Sequence, residues 1–438
     1  MIFKSLLNKV NKIKSNLNFT KYFNNTLWLF ISKILSLFST VFVGAWVARY
    51  LGTENFGLLI YSNNLVSLFI PIAMIGLSDI VIKELLADNS KNTNTILETA
   101  FGLKFIFGVI SLILLFILLL FNNDVFEVKV LIIIFSSYLL LQSLEVFDFY
   151  FQSQVKSRFV VYARIIAVTI SSIVKIILIN LNYSITFFAV IIVLELLITH
   201  FITFLYFKKN KISFLLKNFD KQYAKSLVKK SWPLLLSGLM YVFYIKIDQI
   251  MVKEILGAHS AGLYAVAINL SEVWYFIPNI IAASFFPAIL LYKTKGKSIY
   301  YKRITNLYSL LFWIAVLIAF FITFFGETII NYLYGDVFLE SKNILNIYIW
   351  SNVFFFFTTI SSKWLVAEGF YLHSFYRNII GAIINVTLNF ILLEKIGVIG
   401  AAISTLISYS FVGLFYDLFF KELRINFKLK LKSILFIN

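Results

Sequence analysis

KIDQIMVKEILGAHSAGLYAVAINL (residues 246–270) sets Lys246 and Asp248 inside an apolar run, follows it with a glycine-bearing turn, and then starts a second apolar run. The same arrangement stands 205 positions earlier in VARYLGTENFGLLIYSNNL (47–65), with seven identities in nineteen aligned positions. They are Val47/Val252, Leu51/Leu256, Gly52/Gly257, Gly57/Gly262, Leu58/Leu263, Asn64/Asn269 and Leu65/Leu270. A weaker echo aligns YARIIAVTISSIV (162–174) with FYRNIIGAIINVT (375–387), placing Arg164 opposite Arg377. A chain that says the same thing twice reads as a duplicated bundle. Gly52 and Gly257 are expected to end a helix where positive φ comes easily, and Gly57 and Gly262 to open the next.

Of the 438 residues, 60% are hydrophobic and 14% charged, with mean hydropathy +0.88. Soluble domains carry about 25% charged residues, so a soluble class is excluded. Apolar runs of about 20 residues, enough to cross a hydrocarbon core of about 30 Å, recur along the whole chain. Lipid offers the backbone no hydrogen-bond partner, so these runs are expected to be helices. The expected fold is all-α: a polytopic membrane protein of about 12 transmembrane helices in two parallel six-helix repeats, related by an axis along the membrane normal. Spans are expected near 27–48, 57–78, 99–121, 128–150, 159–180 and 184–207, then 231–252, 262–286, 304–326, 341–362, 374–394 and 399–420. The expected layout is a cytoplasmic N-terminal segment 1–26, an N-lobe of helices 1–6 over 27–207, a cytoplasmic linker 208–230, a C-lobe of helices 7–12 over 231–420, and a cytoplasmic tail 421–438. The N-terminus has no continuous apolar core of the kind a cleavable signal needs. Phe3, Leu6, Leu7, Val10 and Leu17 fall near one face, which reads either as an amphipathic surface helix or as a frayed basic tail.

The formal charge of +18 follows membrane topology, with no pattern that calls for nucleic acid. Twenty-nine of the 39 Lys and Arg fall in the segments that share a side with the N-terminus, and only Arg49, Lys129, Lys253 and Lys395 fall in the opposite loops. The positive-inside rule places both termini in the cytoplasm. Cysteine is absent, and the three histidines (His200, His259, His373) have no ligand spacing. No metal or cofactor is therefore expected.

A charge at the bilayer centre costs about 2.5–3.5 kcal/mol on insertion scales, so each one needs a reason. Lys33, Lys104, Glu145, Asp148 and Arg164 lie close to the cytoplasmic face, where the basic ones can snorkel. Glu195 and Glu272 sit near the middle of spans six and eight, and Lys175, Lys246 and Asp248 in the outer halves of spans five and seven. Asn269 and Glu272 share a helix face, and Asn63 and Asn64 lie at the matching depth of span two. Pro71 and Pro278 fall at near-equivalent places in spans two and eight, where a proline bends a helix. Together with Gly52, Gly57, Gly257 and Gly262 they are candidate hinges. Polar groups at this depth suit either a wet cavity or simple helix-to-helix glue.

The phrase D-x-I-M-V-x-x-x-LG-x-x-x-x-G-x-Y-x-x-A, present from Asp248 to Ala267, resembles the polysaccharide repeat-unit (O-antigen, Wzx-type) flippases of the MOP exporter superfamily. VARYLGTENFG (47–57) and NVTLNFILLEKIGVIGAAISTLIS (385–408) carry the same resemblance, which runs from about residue 22 to 420. It implies two six-helix lobes in a V around a central cavity. It also implies alternating access that carries an undecaprenyl-diphosphate-linked oligosaccharide from the cytoplasmic to the outer leaflet of a bacterial inner membrane. The related lipid II flippases place several arginines in helices one, two and eight, where this chain has Lys33 and, at the outer rim, Arg49.

For that cargo, Lys33, Arg164, Lys175 and Lys246 are candidate cations for the diphosphate. Tyr241, Tyr244, Trp274 and Tyr275 either stack on sugar rings or serve as core packing. Asp248, Glu272 and Glu195 are candidate carboxylates for coupling to H+ or Na+. Glu272 is read either as a group that changes protonation during transport or as a standing ion pair with Lys246. No G-x-x-x-x-G-K-[ST] occurs, so energy is expected from an ion gradient, the membrane potential or consumption of product. Membrane lipid and other polysaccharide assembly proteins are the expected partners. Two rivals stand beside this reading: a drug/cation antiporter of the same superfamily, and a membrane glycan polymerase or ligase. The second usually has a large external loop with catalytic Arg or His, whereas the longest external loop here, ETIINYLYGDVFLE (327–340), has neither.

Overall fold

The computed structural model describes residues 17–87, 92–121, 124–209, 214, 217–290, 292–293 and 296–435. The amphipathic reading of the N-terminus falls on residues 1–16 and the Leu17 side chain, outside the described residues. Among the described residues the secondary structure is helix joined by short turns, without strands. Among the described residues, ten helical stretches are long and apolar enough to cross a membrane. Two are much longer than one crossing, Leu27–Leu86 with 60 residues and Lys221–Phe286 with 66. Laid straight at about 1.5 Å per residue, each would reach about three times the thickness of a bilayer core. Each is interrupted at a glycine instead. Gly52 has φ 72° and ψ 177°, and Gly257 has φ 86° and ψ 176°. That region is essentially closed to residues bearing a Cβ. Each long stretch therefore holds a pair of crossings, which brings the ten stretches to the twelve expected from sequence.

The duplication is visible in the helix boundaries. Arg158–Asn180 and Tyr371–Ile396 start 213 positions apart, as do Ile185–Lys208 and Val398–Gly413. This is the spacing of Arg164 and Arg377. Spans two and eight both break near a proline. The first pauses after Ser67 and restarts as Ile70–Met74 with Pro71 in its opening turn. The second passes through a 3-10 turn, Val273–Tyr275, into Phe276–Leu290, which holds Pro278. A proline in a first turn loses no hydrogen bond. These prolines thus sit at restarts, where the backbone is already interrupted.

Contacts group the chain into two compact units. Unit 1 is Met1–Gly44 with Leu65–Leu239, and unit 2 is Ala45–Asn64 with Met240–Asn438. Unit 1 is centred on aromatic side chains such as Phe147, Phe151 and Phe207, packed with Leu97, Leu103 and Leu227. Unit 2 is centred on Tyr308, Phe356, Phe357, Trp364 and Tyr416. The outward apolar side chains, among them Leu120, Phe121 and Phe126 at 82% exposure each, are those expected of a surface solvated by lipid. The segment expected as a cytoplasmic tail forms a helix, Arg424–Ile434, in which Asn426, Leu429, Lys430 and Ser433 are buried.

Within unit 2 the two copies of the opening motif cross at backbone distance. A Cβ placed on Gly57 would lie 2.0 Å from the Ala258 carbonyl oxygen, and one on Gly262 would lie 2.0 Å from that of Thr53. Since 53 and 258, like 57 and 262, are 205 positions apart, the contact is reciprocal. Each copy offers its glycine to the other's backbone, in the small-xxx-small pattern that lets membrane helices approach closely. Thr53 Oγ1 and His259 Nδ1 close the same crossing at 2.7 Å. Gly57→Val or Gly262→Val is expected to remove several degrees of thermal stability in detergent, from overpacking of about 1–3 kcal/mol. Gly44→Ala, whose Cβ would meet nothing nearer than 4.0 Å, is expected to leave it unchanged or higher.

Candidate functional site

Unit 1 holds an open cavity of about 430 Å³ whose walls include Lys33, Arg164, Asp148, Glu195 and His200. Lys33 comes from Leu17–Phe38 and Arg164 from Arg158–Asn180. The first helix and its continuation are tied to the second by a hydrogen bond between the Ser39 and Ser172 hydroxyls at 2.9 Å and by the edge-on rings of Trp28 and Tyr162 at 5.0 Å. Both residues are exposed and line the cavity. Asp148 stands just past a 3-10 turn, Gln142–Glu145, that interrupts span four, and it accepts a hydrogen bond from the Gln152 amide at 3.1 Å. Glu195 is paired with Lys175 at 3.3 Å, so its charge is answered from the neighbouring helix. Deeper in the unit, Lys104 is fully buried. It pairs with Glu145 at 2.6 Å and lies over the Phe149 ring at 4.8 Å.

His200 was not distinguished by sequence reasoning. It is 7% exposed, it lines the cavity, and its Nε2 has no hydrogen-bond partner among the described residues. Of the charges that line the cavity, Lys33 and Arg164 are positive and Asp148 and Glu195 negative, and Lys175, outside the lining, answers Glu195.

Unit 2 treats its charges differently. Asp248 is 2% exposed, accepts hydrogen bonds from the hydroxyls of Tyr264 at 2.6 Å and Thr405 at 3.2 Å, and bonds the Gln249 backbone N–H at 2.8 Å. Asn385 donates to Thr405, and Asn389 donates to Asn385 at 2.9 Å. These donors offset part of the cost of burying the carboxylate. Lys246 is not its partner. Lys246 stands 3.8 Å from Glu272, whose other carboxylate oxygen is buried and unpartnered. Asn64 donates to Gln249 at 2.6 Å, while Asn63 and Asn269 are half-buried. Of the aromatic candidates, Tyr275 is stacked on Phe355 at 3.6 Å and Tyr244 is buried beside Tyr409, whereas Tyr241 is exposed. Asn385 and Asn389 were visible as an i, i+4 polar pair in an apolar helix. Nothing in the linear pattern linked them to Asp248.

A family model described as "Polysaccharide biosynthesis protein" matches residues 22–293, and one described as "MatE" matches residues 233–391. An uncharacterized membrane protein of Methanocaldococcus jannaschii, MJ1375, is 26% identical over 211 residues, which are 47% of this chain and 49% of that protein. The match thus spans about half the length of that relative. Among solved structures, an inward-facing multidrug resistance MATE family transporter of the MOP superfamily superposes with TM-score 0.72 at 16% identity, covering 91% of this chain and 96% of that one. The lipid II flippase MurJ, in an inward closed conformation, gives TM-score 0.72 at 17% identity over 94% of this chain and 91% of its own. The fold is that of the MOP transporters.

Lys104→Ala would leave Glu145 without its cation in the protein interior. The expected cost is about 3–5 kcal/mol, read as a lowered Tm in detergent, with the double variant Lys104→Met/Glu145→Leu regaining most of it.

Proposed function

We propose, since this chain belongs to the polysaccharide biosynthesis protein family of membrane proteins, that it is a flippase. Its cargo is an undecaprenyl-diphosphate-linked oligosaccharide repeat unit of O-antigen or a related surface polysaccharide. The cargo moves from the cytoplasmic to the outer leaflet of a bacterial plasma membrane by alternating access, and both termini of the chain lie in the cytoplasm. The observation that carries this reading is the pair of exposed cations, Lys33 and Arg164, on the cavity wall of unit 1. Both come from the cytoplasmic ends of their spans, the depth at which the headgroup of an inner-leaflet lipid presents its phosphates. Lysine and arginine in a low-dielectric wall bind such oxygens as a point charge and a fork respectively. Lys175 and Lys246 extend the cationic set, each balanced by a carboxylate.

The coupling ion, H+ or Na+, is assigned to unit 2. Asp248 is surrounded by neutral donors that can rotate, and Glu272 has one oxygen free to take a proton or an ion. The hinges are assigned to the interruptions at Gly52, Gly257 and the restarts at Pro71 and Pro278, with Gly57 and Gly262 as the pivot of close approach. A second reading, a cation antiporter, draws on Asp148 and Glu195 in the same cavity and on the MatE match.

Deletion in a host that makes a surface polysaccharide is expected to abolish the polymer and trap lipid-linked repeat units on the inner leaflet. Normal polymer, with raised sensitivity to cationic dyes, would establish the antiporter instead. Replacing both Lys33 and Arg164 by Gln is expected to cut flipping in vesicles by about two orders of magnitude, as for two lost charge-assisted contacts, with folded yield retained. Glu272→Gln is expected to abolish the pH or Na+ dependence of transport. An unaltered dependence would remove Glu272 from the coupling step.

A further inference from the structure

The helix Arg424–Ile434 is held to unit 2 by one face. On that face Lys430 Nζ donates to the Gly413 carbonyl and to Asp417, each at 2.7 Å, with both charged side chains fully buried. The Asn426 amide donates to Asp417 at 2.8 Å and to Ser361 Oγ at 2.9 Å, and its oxygen accepts from the Tyr308 hydroxyl at 2.9 Å. The Ser433 carbonyl accepts from the Ser309 hydroxyl at 2.8 Å. Pulling the helix away would strand a buried charge, so its orientation on unit 2 is fixed. Its depth follows from its partners. Span nine is expected to begin near residue 304. Tyr308 and Ser309 therefore stand about 6–8 Å inside it, at about 1.5 Å per residue. Amphipathic helices that lie in a membrane interface sit at such a depth, about 5–10 Å into the boundary.

The face turned away from unit 2 has a chemistry of its own. Lys421, just before the helix, and Arg424, Lys428 and Lys432 along it are exposed, and none of the four is in an ion pair among the described residues. Arg424, Lys428 and Lys432 are spaced four apart, so they form one stripe. Ile425 and Leu431 are exposed on either side of that stripe, and Leu435 at its end. The neighbouring carboxylate, Glu422, is turned to His373 at 3.3 Å. Like charges at this spacing destabilise an isolated helix, and a solvated helix relieves them with carboxylates. Here the relief has to come from outside the chain. A cationic stripe flanked by exposed apolar side chains, held at headgroup depth, matches a surface that offers anions and acyl chains together.

We propose that the outward face of Arg424–Ile434, with Lys421, binds the anionic lipid headgroups of the cytoplasmic leaflet. The helix is then an interfacial anchor with two attachments, the buried Lys430–Asp417 pair on the protein side and the basic stripe on the lipid side. The surface potential of anionic lipid attracts each such cation. The choice of leaflet rests on the cytoplasmic placement of the C-terminus proposed above, and the site is independent of the cargo.

The test is hydrogen exchange at residues 424–434 of the full-length chain, in nanodiscs of phosphatidylcholine alone and of phosphatidylcholine mixed equally with phosphatidylglycerol. At low salt, exchange is expected to be about tenfold slower with the anionic lipid, and molar salt is expected to erase most of the difference. Combining Lys421→Gln, Arg424→Gln, Lys428→Gln and Lys432→Gln is expected to abolish the lipid response and to leave exchange in neutral lipid unchanged. Arg424→Lys, which keeps the charge, is expected to keep the full response. Equal exchange in the two lipids, or a response that survives the four replacements or molar salt, would overturn the proposal. So would protection by soluble polyglutamate in neutral nanodiscs with none from phosphatidylglycerol, which would give this face to an acidic protein. The chain has no cysteine, so Leu435→Cys reports the side of the membrane. Labelling of it by an impermeant maleimide from outside the cell would overturn the choice of leaflet. An intact lipid response in a chain that flips no lipid would overturn only the transport reading.

Discussion

Two helix pairs meet here with nothing but backbone between them. At Gly57 and Gly262 a hydrogen atom stands where any other residue would drive a methylene into a carbonyl oxygen of the opposite copy. Lipid supplies no hydrophobic push between helices, so association has to come from close packing and from polar contacts that water would otherwise satisfy. The reciprocal crossing provides both, since the Thr53–His259 hydrogen bond lies in the same place. The interruptions at Gly52 and Gly257 supply the change of direction that brings the two copies into register. The crossing joins residues 45–64 to unit 2 together with the Asn64–Gln249 and Tyr61–Glu254 hydrogen bonds.

The charges in the interior follow from the same scarcity of solvent. Each unit deals with them by a different device. Unit 1 uses ion pairs between adjacent helices, Lys104 with Glu145 and Lys175 with Glu195, and leaves two cations facing a cavity. Unit 2 uses neutral donors around Asp248 and a C-terminal helix that carries its own ammonium into the interior.

The helix periods and the duplication were legible in the sequence because membrane spans satisfy their backbone internally, so each apolar run declares itself without reference to its neighbours. The turn glycines were legible for a related reason, since a positive φ is a property of one residue. Lys33, Arg164, Glu195 and Asp248 could be singled out because a charge in an apolar run is locally anomalous. What could not be read were partners. Tyr264, Thr405 and Asn385 are 16, 157 and 137 positions from Asp248, and each is unremarkable alone. His200 gave no sign because the burial of an imidazole nitrogen without a hydrogen-bond partner is set only in three dimensions. The Arg424–Ile434 helix read as part of a basic cytoplasmic tail, and burial of Lys430 depends on Asp417 being presented by the 3-10 turn Phe415–Leu418.

The crossing also bears on how the two halves of the gene are free to drift. A glycine pressed against a side chain can be enlarged if the opposing side chain shrinks, but Gly57 and Gly262 are pressed against main-chain oxygens, which no substitution can trim. Ala258 presents its oxygen with only what every amino acid has, whereas Thr53 adds the hydroxyl bonded to His259. Mutational history should therefore be frozen at both glycines and most permissive at Ala258, leaving a fossil of the ancestral duplication where the two copies of the chain touch through their backbones.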